Sequence, residues 1–233
     1  MELIIIIAMS VSILVILAIL FRFNMKNIKL IKQIGHNTEL NEITNKLPEN
    51  EQICKEILTK LHNENVKVKV GNENSQASLY IVATNSILIA NIKNTFTRVQ
   101  TIAHECIHSV QDKRLLWFNF VFSNIYLLYF GIITVLALLN KLSEVNVFAI
   151  ILLMMSITIY FVRSYLETDA MLRARFLAKE YMEQNKDLIC EEDIRTVVEN
   201  YDRLNKIGVK FYNLKLMFDY LSKVIIFCLV AFF

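Results

Sequence analysis

The sequence contains few of the residues that interrupt regular structure, because only four of its 233 residues are glycine and one is proline. This composition excludes collagen-like chains and the Gly- or Pro-rich segments of disordered proteins. Cysteine is also scarce, and the four cysteines form no C-x-x-C pair. Neither a disulfide framework nor a cysteine zinc site is therefore expected, and isolated cysteines suit a reducing compartment.

Charge is absent from long parts of the chain. The formal net charge is only +3, which gives no reason to expect a nucleic-acid partner. The hydrophobic fraction of 55% exceeds that of ordinary soluble domains. The excess lies in three stretches without Asp, Glu, Lys or Arg and in a fourth that two charges interrupt: residues 3–21, 115–140, 145–162 and 216–233.

These stretches are long enough to cross a bilayer, which takes about 20 apolar residues. Residues 1–21 predict a transmembrane anchor. A cleaved signal peptide is less favoured, because Glu2 and no basic residue precede the stretch and no small-residue cleavage motif follows it. Residues 115–162 predict a transmembrane helical hairpin. Residues 216–233, which contain Asp219 and Lys223, predict either a fourth transmembrane helix or an interfacial helix.

Lysine and arginine near the ends of these stretches predict their orientation. Basic residues follow the first stretch, precede the second and follow the third, whereas the turn of the hairpin carries little beyond Lys141. The polar regions 22–114 and 163–215 are therefore both expected on the cytoplasmic side of the membrane.

The first polar region predicts a helix, a small sheet and a second helix. A helix is expected to begin near Pro48. Short strands are expected at residues 66–70, 79–82 and 86–90, with a polar turn at 71–76. The second helix begins near Thr95, and its core stripe comprises Phe96, Val99, Ile102, Ala103 and Cys106 or Ile107. The second polar region predicts one helix that ends near Gln184 and another from about Glu191 to Asn205.

The helix after Thr95 carries the pentad His104-Glu105-Cys106-Ile107-His108, which reads H-E-x-x-H. Histidines four residues apart lie on one helix face, where they can bind one Zn²⁺ with Glu105 beside them as general base. The alternative is an amphipathic helix with polar residues at its surface. The pentad alone does not decide between these two interpretations.

The predicted topology supplies a third ligand. His108 precedes residue 115 by seven positions, and Glu167 follows residue 162 by five. At about 1.5 Å per helical residue, both lie roughly 10 Å from the membrane surface. The hairpin thus predicts that Glu167 returns beside His104 and His108. Asp169 is a further candidate, as the acceptor of a ligand-histidine N–H, although an ion pair with Arg173 is its more ordinary role.

Two motifs resemble a known family. A-H-E-x-x-H-x-x-Q-D, which begins at Ala103, and E-x-D-A-x-x-R-A, which begins at Glu167, are similar to motifs of the YugP-type neutral zinc metallopeptidases of bacterial membranes. The similarity covers most of the chain, although Ile107 and Met171 stand where that family commonly has glycine and serine. More distantly, the chain resembles the HtpX-type membrane proteases. The resemblance implies a multi-pass bacterial membrane protein with Glu167 as a zinc ligand.

The expected fold is mainly α with a small β-sheet, as a zincin-like core joined to about four transmembrane helices. The expected segments are the anchor 1–21, a cytoplasmic zincin-like region 22–114, a transmembrane hairpin 115–162, a cytoplasmic helical region 163–215 and a final helix 216–233.

The leading hypothesis is a membrane zinc metalloprotease that hydrolyses peptide or protein substrates with a zinc-activated water and Glu105. Strand 86–90, if it lies at the sheet edge, offers a pairing site for an extended substrate. The alternatives are a catalytically silent zinc-binding membrane scaffold and an intramembrane protease. The polar residues Arg98, Gln100, Gln111 and Asp112 around the pentad argue against a site inside the bilayer.

Overall fold

A computed structural model of the protein describes residues 2–35, 37–71, 75, 77–92 and 94–232. It is mainly helical with one three-stranded sheet, which confirms the coarse fold prediction. The elements in chain order are α1 (Glu2–Leu20), α2 (Met25–Gly35), α3 (Thr38–Asn45), α4 (Asn50–Lys60), β1 (Lys67–Val70), β2 (Leu79–Ile81), β3 (Ser86–Ile89), α5 (Arg98–Val110), α6 (Lys113–Leu138), α7 (Val145–Gln184) and α8 (Glu191–Phe232).

The chain divides into two compact units. The first, which we call the helical unit, comprises Met1–Asn24, Trp117–Tyr165 and Lys210–Phe233. The second, which we call the mixed unit, comprises Met25–Leu116 and Leu166–Val209 and contains the sheet.

The sheet of the mixed unit has the strand order β1-β3-β2, with β1 parallel and β2 antiparallel to β3. The strand predicted at 86–90 is therefore central, and the edge position on which its pairing with a substrate depended is not met. Its two edges are occupied by β1 and β2, and Ile87 and Ile89 are completely buried on one of its faces. Lys67 and Lys69 of β1 are exposed, as is typical of an edge.

Helix α5 carries the predicted core stripe from Val99 onwards, and Phe96 precedes the helix. The stripe residues Phe96, Val99, Ile102, Ala103, Cys106 and Ile107 are between 0 and 2% exposed. The helix begins at Arg98 and not near Thr95. Side chains from α3 and α8 bind both backbone groups of Phe96, since Asn41 Oδ1 accepts from its N–H at 2.7 Å and Tyr201 Oη donates to its carbonyl at 2.8 Å. Phe96 is therefore held outside the helix.

Three helices end in the same way without glycine. After α1, α4 and α6 the residues Arg22, His62 and Asn140 adopt a positive φ near 50°. Each donates its N–H to the carbonyl three residues earlier, and the following residue donates to the carbonyl five residues before it. This is the Schellman motif, in which glycine usually occupies the left-handed position. The chain's scarcity of glycine explains why other residues stand there.

Two predictions of helix bounds need correction. Helix α8 is one continuous helix of 42 residues, so it neither ends near Asn205 nor begins again near residue 216. No proline interrupts α8. Gly208 alone does not break the helix, because other residues of α8 are buried in the hydrophobic core of each unit.

Helices α2 and α3 were not predicted. The polar turn expected at 71–76 lies mostly outside the described residues, as do the terminal residues of the predicted first and last spans, Met1 and Phe233.

Three helices of the described chain, α1, α6 and α7, are long and apolar enough to cross a membrane.

In the helical unit, Tyr126 of α6 forms hydrogen bonds with two other helices. Its hydroxyl donates to the Tyr220 carbonyl of α8 at 3.1 Å and accepts from Ser156 of α7 at 3.1 Å. These bonds satisfy polar groups in a core that is otherwise apolar.

Candidate metal centre

The structure brings the three predicted ligands together within the mixed unit. His104 Nε2 lies 3.0 Å from His108 Nε2, and Glu167 Oε2 lies 3.4 Å from the first nitrogen and 3.7 Å from the second. The side chains of these residues are 12 to 18% exposed. The cluster is therefore enclosed but still reached by solvent.

The three separations match those of a tetrahedral zinc site. Zinc bound to nitrogen and oxygen at about 2.0–2.1 Å in tetrahedral geometry sets ligand atoms roughly 3.3 Å apart. The observed distances of 3.0, 3.4 and 3.7 Å lie on both sides of this value. Two imidazole nitrogens and a carboxylate oxygen also suit zinc chemically. The donor set thus fits the metal, whose binding remains a prediction.

Two helices from distant parts of the sequence position the ligands. The pentad lies within α5, and the four-residue spacing sets the rings of His104 and His108 edge to face, with centroids 4.5 Å apart. Glu167 lies in α7. Ala170, Ala174 and Ala178 of α7 are completely buried in the same core as the apolar side chains of α5. Glu167, one helical turn before Ala170, reaches the two histidines from α7.

Gln111 orients His108. Gln111 Nε2 donates to the Leu166 carbonyl and to Asp169 Oδ2, both at 2.8 Å, so its Oε1 faces His108 Nδ1, also at 2.8 Å. An amide oxygen only accepts hydrogen bonds, and Nδ1 of His108 therefore carries the proton. The Nε2 lone pair of the neutral ring is then directed at the candidate metal position.

Asp169 is therefore linked to His108 through Gln111 and not directly, as had been predicted for a ligand histidine. It accepts from Gln111 and not from a ligand histidine, and it also pairs with Arg173 at 3.3 Å. The sequence reasoning missed the role of Gln111. The available signal was its position three residues after His108, directly after the end of α5.

The electrostatics of the cluster favour a charged Glu167. Burial on its own raises the pKa of the Glu167 carboxyl, but hydrogen bonds from the two histidines hold that pKa well below its usual range. Burial on its own lowers the pKa of the His108 imidazole. The hydrogen bond and the negative charge of Glu167 outweigh burial, so the pKa of His108 is raised. The same negative charge would favour a bound divalent cation.

Glu105 lies beside the ligands and is only 6% exposed. Burial raises the pKa of its carboxyl, against the opposing influence of His104, His108 and a backbone hydrogen bond. That bond comes from Tyr80 in β2, whose N–H donates to Glu105 Oε2 at 2.6 Å. The edge strand β2 therefore meets the pentad directly, a contact that the sequence did not predict.

Cys106 takes no part in the cluster. It is completely buried, and its Sγ lies 3.7 Å from Sγ of Cys54 in α4. Burial and the neighbouring thiol raise the pKa of Cys106, which keeps it neutral and unsuited to bind metal. It acts as a small core residue.

Comparisons with protein-family models, with curated proteins and with solved structures found no match to this chain. The function proposed below is therefore inferred from the residues and the geometry of the site.

Proposed function

We propose that this protein is a membrane zinc metalloprotease with a zincin-like core. One observation carries the proposal: two histidines on α5 and a glutamate 59 residues further along, on α7, present their ligand atoms at 3.0 to 3.7 Å from one another. Structural zinc sites usually close all four positions with side chains, whereas three ligands leave one position for the reacting molecules. The ligand count therefore favours catalysis.

His104, His108 and Glu167 would hold the ion, and Gln111 would keep His108 in the tautomer that presents Nε2. Zinc bound there would supply Lewis acidity and lower the pKa of water towards about 7. Glu105 would accept a proton from water as it attacks the peptide carbonyl, and later deliver that proton to the leaving amine.

We further propose that α1, α6 and α7 cross the membrane and that the last part of α8 enters the membrane from the cytoplasmic side. The metal site would lie close to the cytoplasmic face, because His108 precedes the uncharged stretch of α6 by seven residues and Glu167 follows that of α7 by five. Substrates would be peptides or proteins that reach this surface.

The test is peptide hydrolysis by the full chain in detergent or lipid nanodiscs. Casein or an unstructured peptide should be cleaved by the wild type, and Glu105→Gln should lose at least 100-fold of this activity while it keeps the metal, by the order of magnitude of general acid–base catalysis, about 10²–10⁴. Asp112→Asn, which changes another acid close to the pentad, serves as control. Equal activity of wild type and Glu105→Gln would show that cleavage does not depend on this site and would overturn the proposal, and no activity in either would favour the silent zinc scaffold.

A further inference from the structure

A cationic cleft lies within the helical unit, apart from the residues of the metal centre. Arg163 of α7 and Lys215 and Lys223 of α8 line a cavity of about 330 Å³, which Asp219 also borders. Three cations and one carboxylate give these side chains a formal charge of +2 (three minus one). Proteolysis at the metal site uses none of them, so the cleft calls for a separate explanation.

The polar groups of the cleft are held by local contacts. Lys223 Nζ donates to the Asp219 carbonyl at 2.8 Å and lies 5.9 Å from the centre of the Tyr220 ring. Ser222 Oγ donates to the same carbonyl at 3.1 Å. On the other side, Arg163 Nη1 lies 3.5 Å from Tyr220 Oη. Tyr220 thus stands between two cations, and the cleft is preformed.

The cleft lies where the uncharged parts of two helices end. Arg163 directly follows the 18 uncharged residues 145–162, and Lys223 directly precedes the uncharged residues 224–232. Because Arg163 meets Tyr220, these two ends lie at the same level in the helical unit. Lysine and arginine at such ends extend towards lipid headgroups.

Aromatic side chains near these ends point to the same location. Phe161 and Tyr165 of α7 are 65 and 62% exposed, and Phe218 of α8 is 57% exposed. Exposed aromatic residues are typical of the boundary between hydrocarbon and headgroups. In a membrane crossed as proposed above, the cleft would lie at the level of the phosphate groups.

We propose that this cleft binds the phosphate headgroup of an anionic phospholipid. Arginine and lysine are the usual phosphate ligands of proteins, and the hydroxyl of Tyr220, which accepts from Arg163, can donate a further hydrogen bond. Basic clefts between membrane helices bind anionic headgroups by this chemistry. The proposal depends on the membrane location proposed above and is independent of peptide hydrolysis.

The test measures retention of lipid by the delipidated full chain, with native mass spectrometry after addition of phosphatidylglycerol or phosphatidylcholine with the same acyl chains. The wild type should retain phosphatidylglycerol at least tenfold more strongly, because two net cations at about 1 kcal/mol each exceed the 1.4 kcal/mol that corresponds to a tenfold preference. Arg163→Gln/Lys215→Gln/Lys223→Gln should lose this preference. The control Lys67→Gln/Lys69→Gln/Lys206→Gln, which removes the same charge at exposed sites elsewhere, should keep it.

A milder pair of variants guards against loss of folding. Lys215→Gln/Lys223→Gln leaves Arg163 against Tyr220 and should lose most of the preference, whereas Lys215→Arg/Lys223→Arg should retain it. Equal retention of the two lipids by the wild type, or an unchanged preference in the Gln double variant, would overturn the proposal. So would full displacement of the lipid by millimolar inorganic phosphate, which would assign the cleft to free phosphate. Glu105→Gln should keep the preference, which separates this test from that of the protease.

Discussion

His108 owes its orientation to a side chain three residues further along the chain. Gln111 is only 7% exposed and joins His108 to Asp169 and to the backbone of α7 at Leu166. This chain of hydrogen bonds links the ligand from α5 to the helix that supplies Glu167. Removing a partner of this kind typically lowers metal affinity 10- to 100-fold, as an order of magnitude.

Gln111→Leu should therefore weaken zinc binding about 10- to 100-fold. Gln111→Glu should also weaken binding, because its second carboxylate oxygen would face the Leu166 carbonyl and Asp169 Oδ2, to which Gln111 Nε2 now donates. Competition with a chromophoric chelator measures the affinity. Gln100→Leu is the control, because Gln100 lies in the same helix and bonds Asn205, not a ligand. Wild-type affinity in Gln111→Leu would contradict the assigned role.

The metal-free protein should lose stability as the pH rises. The folded-state pKa of His108 is raised above its usual value of about 6.5, so its contribution is complete below that pH and is lost as the pH rises through the raised pKa. Glu105, whose pKa is also raised, acts in the same direction. Thermal unfolding with chelator present should show a lower midpoint at about pH 8.5 than at about pH 6.

Glu167→Gln should reduce this difference, because Glu167 is the main source of the raised pKa of His108. Glu183→Gln provides the matched control, as another glutamate of α7 that pairs with a cation, Lys179 at 3.6 Å. A pH dependence that is the same in wild type and Glu167→Gln would show that the histidine–carboxylate contact does not govern it.

At the scale of elements, the end of α4 supports the end of α5. His62 completes the Schellman motif of α4, and the next residue, Asn63, donates from Nδ2 to the carbonyl and to Oγ of Ser109, at 3.1 and 2.9 Å. The backbone turn at His62 therefore directs Asn63 to the helix turn that follows His108.

His62→Gly should stabilise the mixed unit by about 0.5–1 kcal/mol, since glycine adopts positive φ without the strain of a β-carbon. His62 is exposed, so little packing is lost. Lys55→Gly, at an exposed interior position of the same helix, should instead destabilise by about 1 kcal/mol. Chemical denaturation followed by circular dichroism distinguishes the two signs, and destabilisation by His62→Gly would contradict the account of this cap.

Local patterns predicted the helices and strands better than their pairing. The core stripe on α5 could be predicted because the periodicity of its apolar residues is a local pattern. The position of Glu167 beside the histidines could be predicted because the helical hairpin limits where the chain can return. The central position of β3 depends on contacts with β1, whose partner Lys67 lies 19 residues from Ser86, and the sequence does not encode that pairing locally. The contact of Tyr80 with Glu105 was hidden for the same reason, since a backbone N–H leaves no sequence signal.

For the whole molecule, the distribution of charge predicts that both polar regions lie on one side of the membrane. The chain offers a natural reporter, because Cys190 is the exposed cysteine while Cys54, Cys106 and Cys228 are buried. In intact bacterial cells, a membrane-impermeant maleimide should leave the wild type unlabelled and should label Cys190 after the membrane is opened. Ser143→Cys, in the turn between α6 and α7, should be labelled in intact cells. Labelling of wild-type Cys190 in intact cells would reverse the predicted orientation.

Zinc content is the most direct test of the metal centre on which the functional proposal depends. We would measure zinc per chain in detergent-purified protein for wild type, Glu167→Ala and the control Glu183→Ala. The site predicts about one zinc per chain in wild type and control, since three ligands suffice for a catalytic site, and a marked loss in Glu167→Ala. Absence of zinc from the wild type after anaerobic reloading, or full retention by Glu167→Ala, would contradict the three-ligand site.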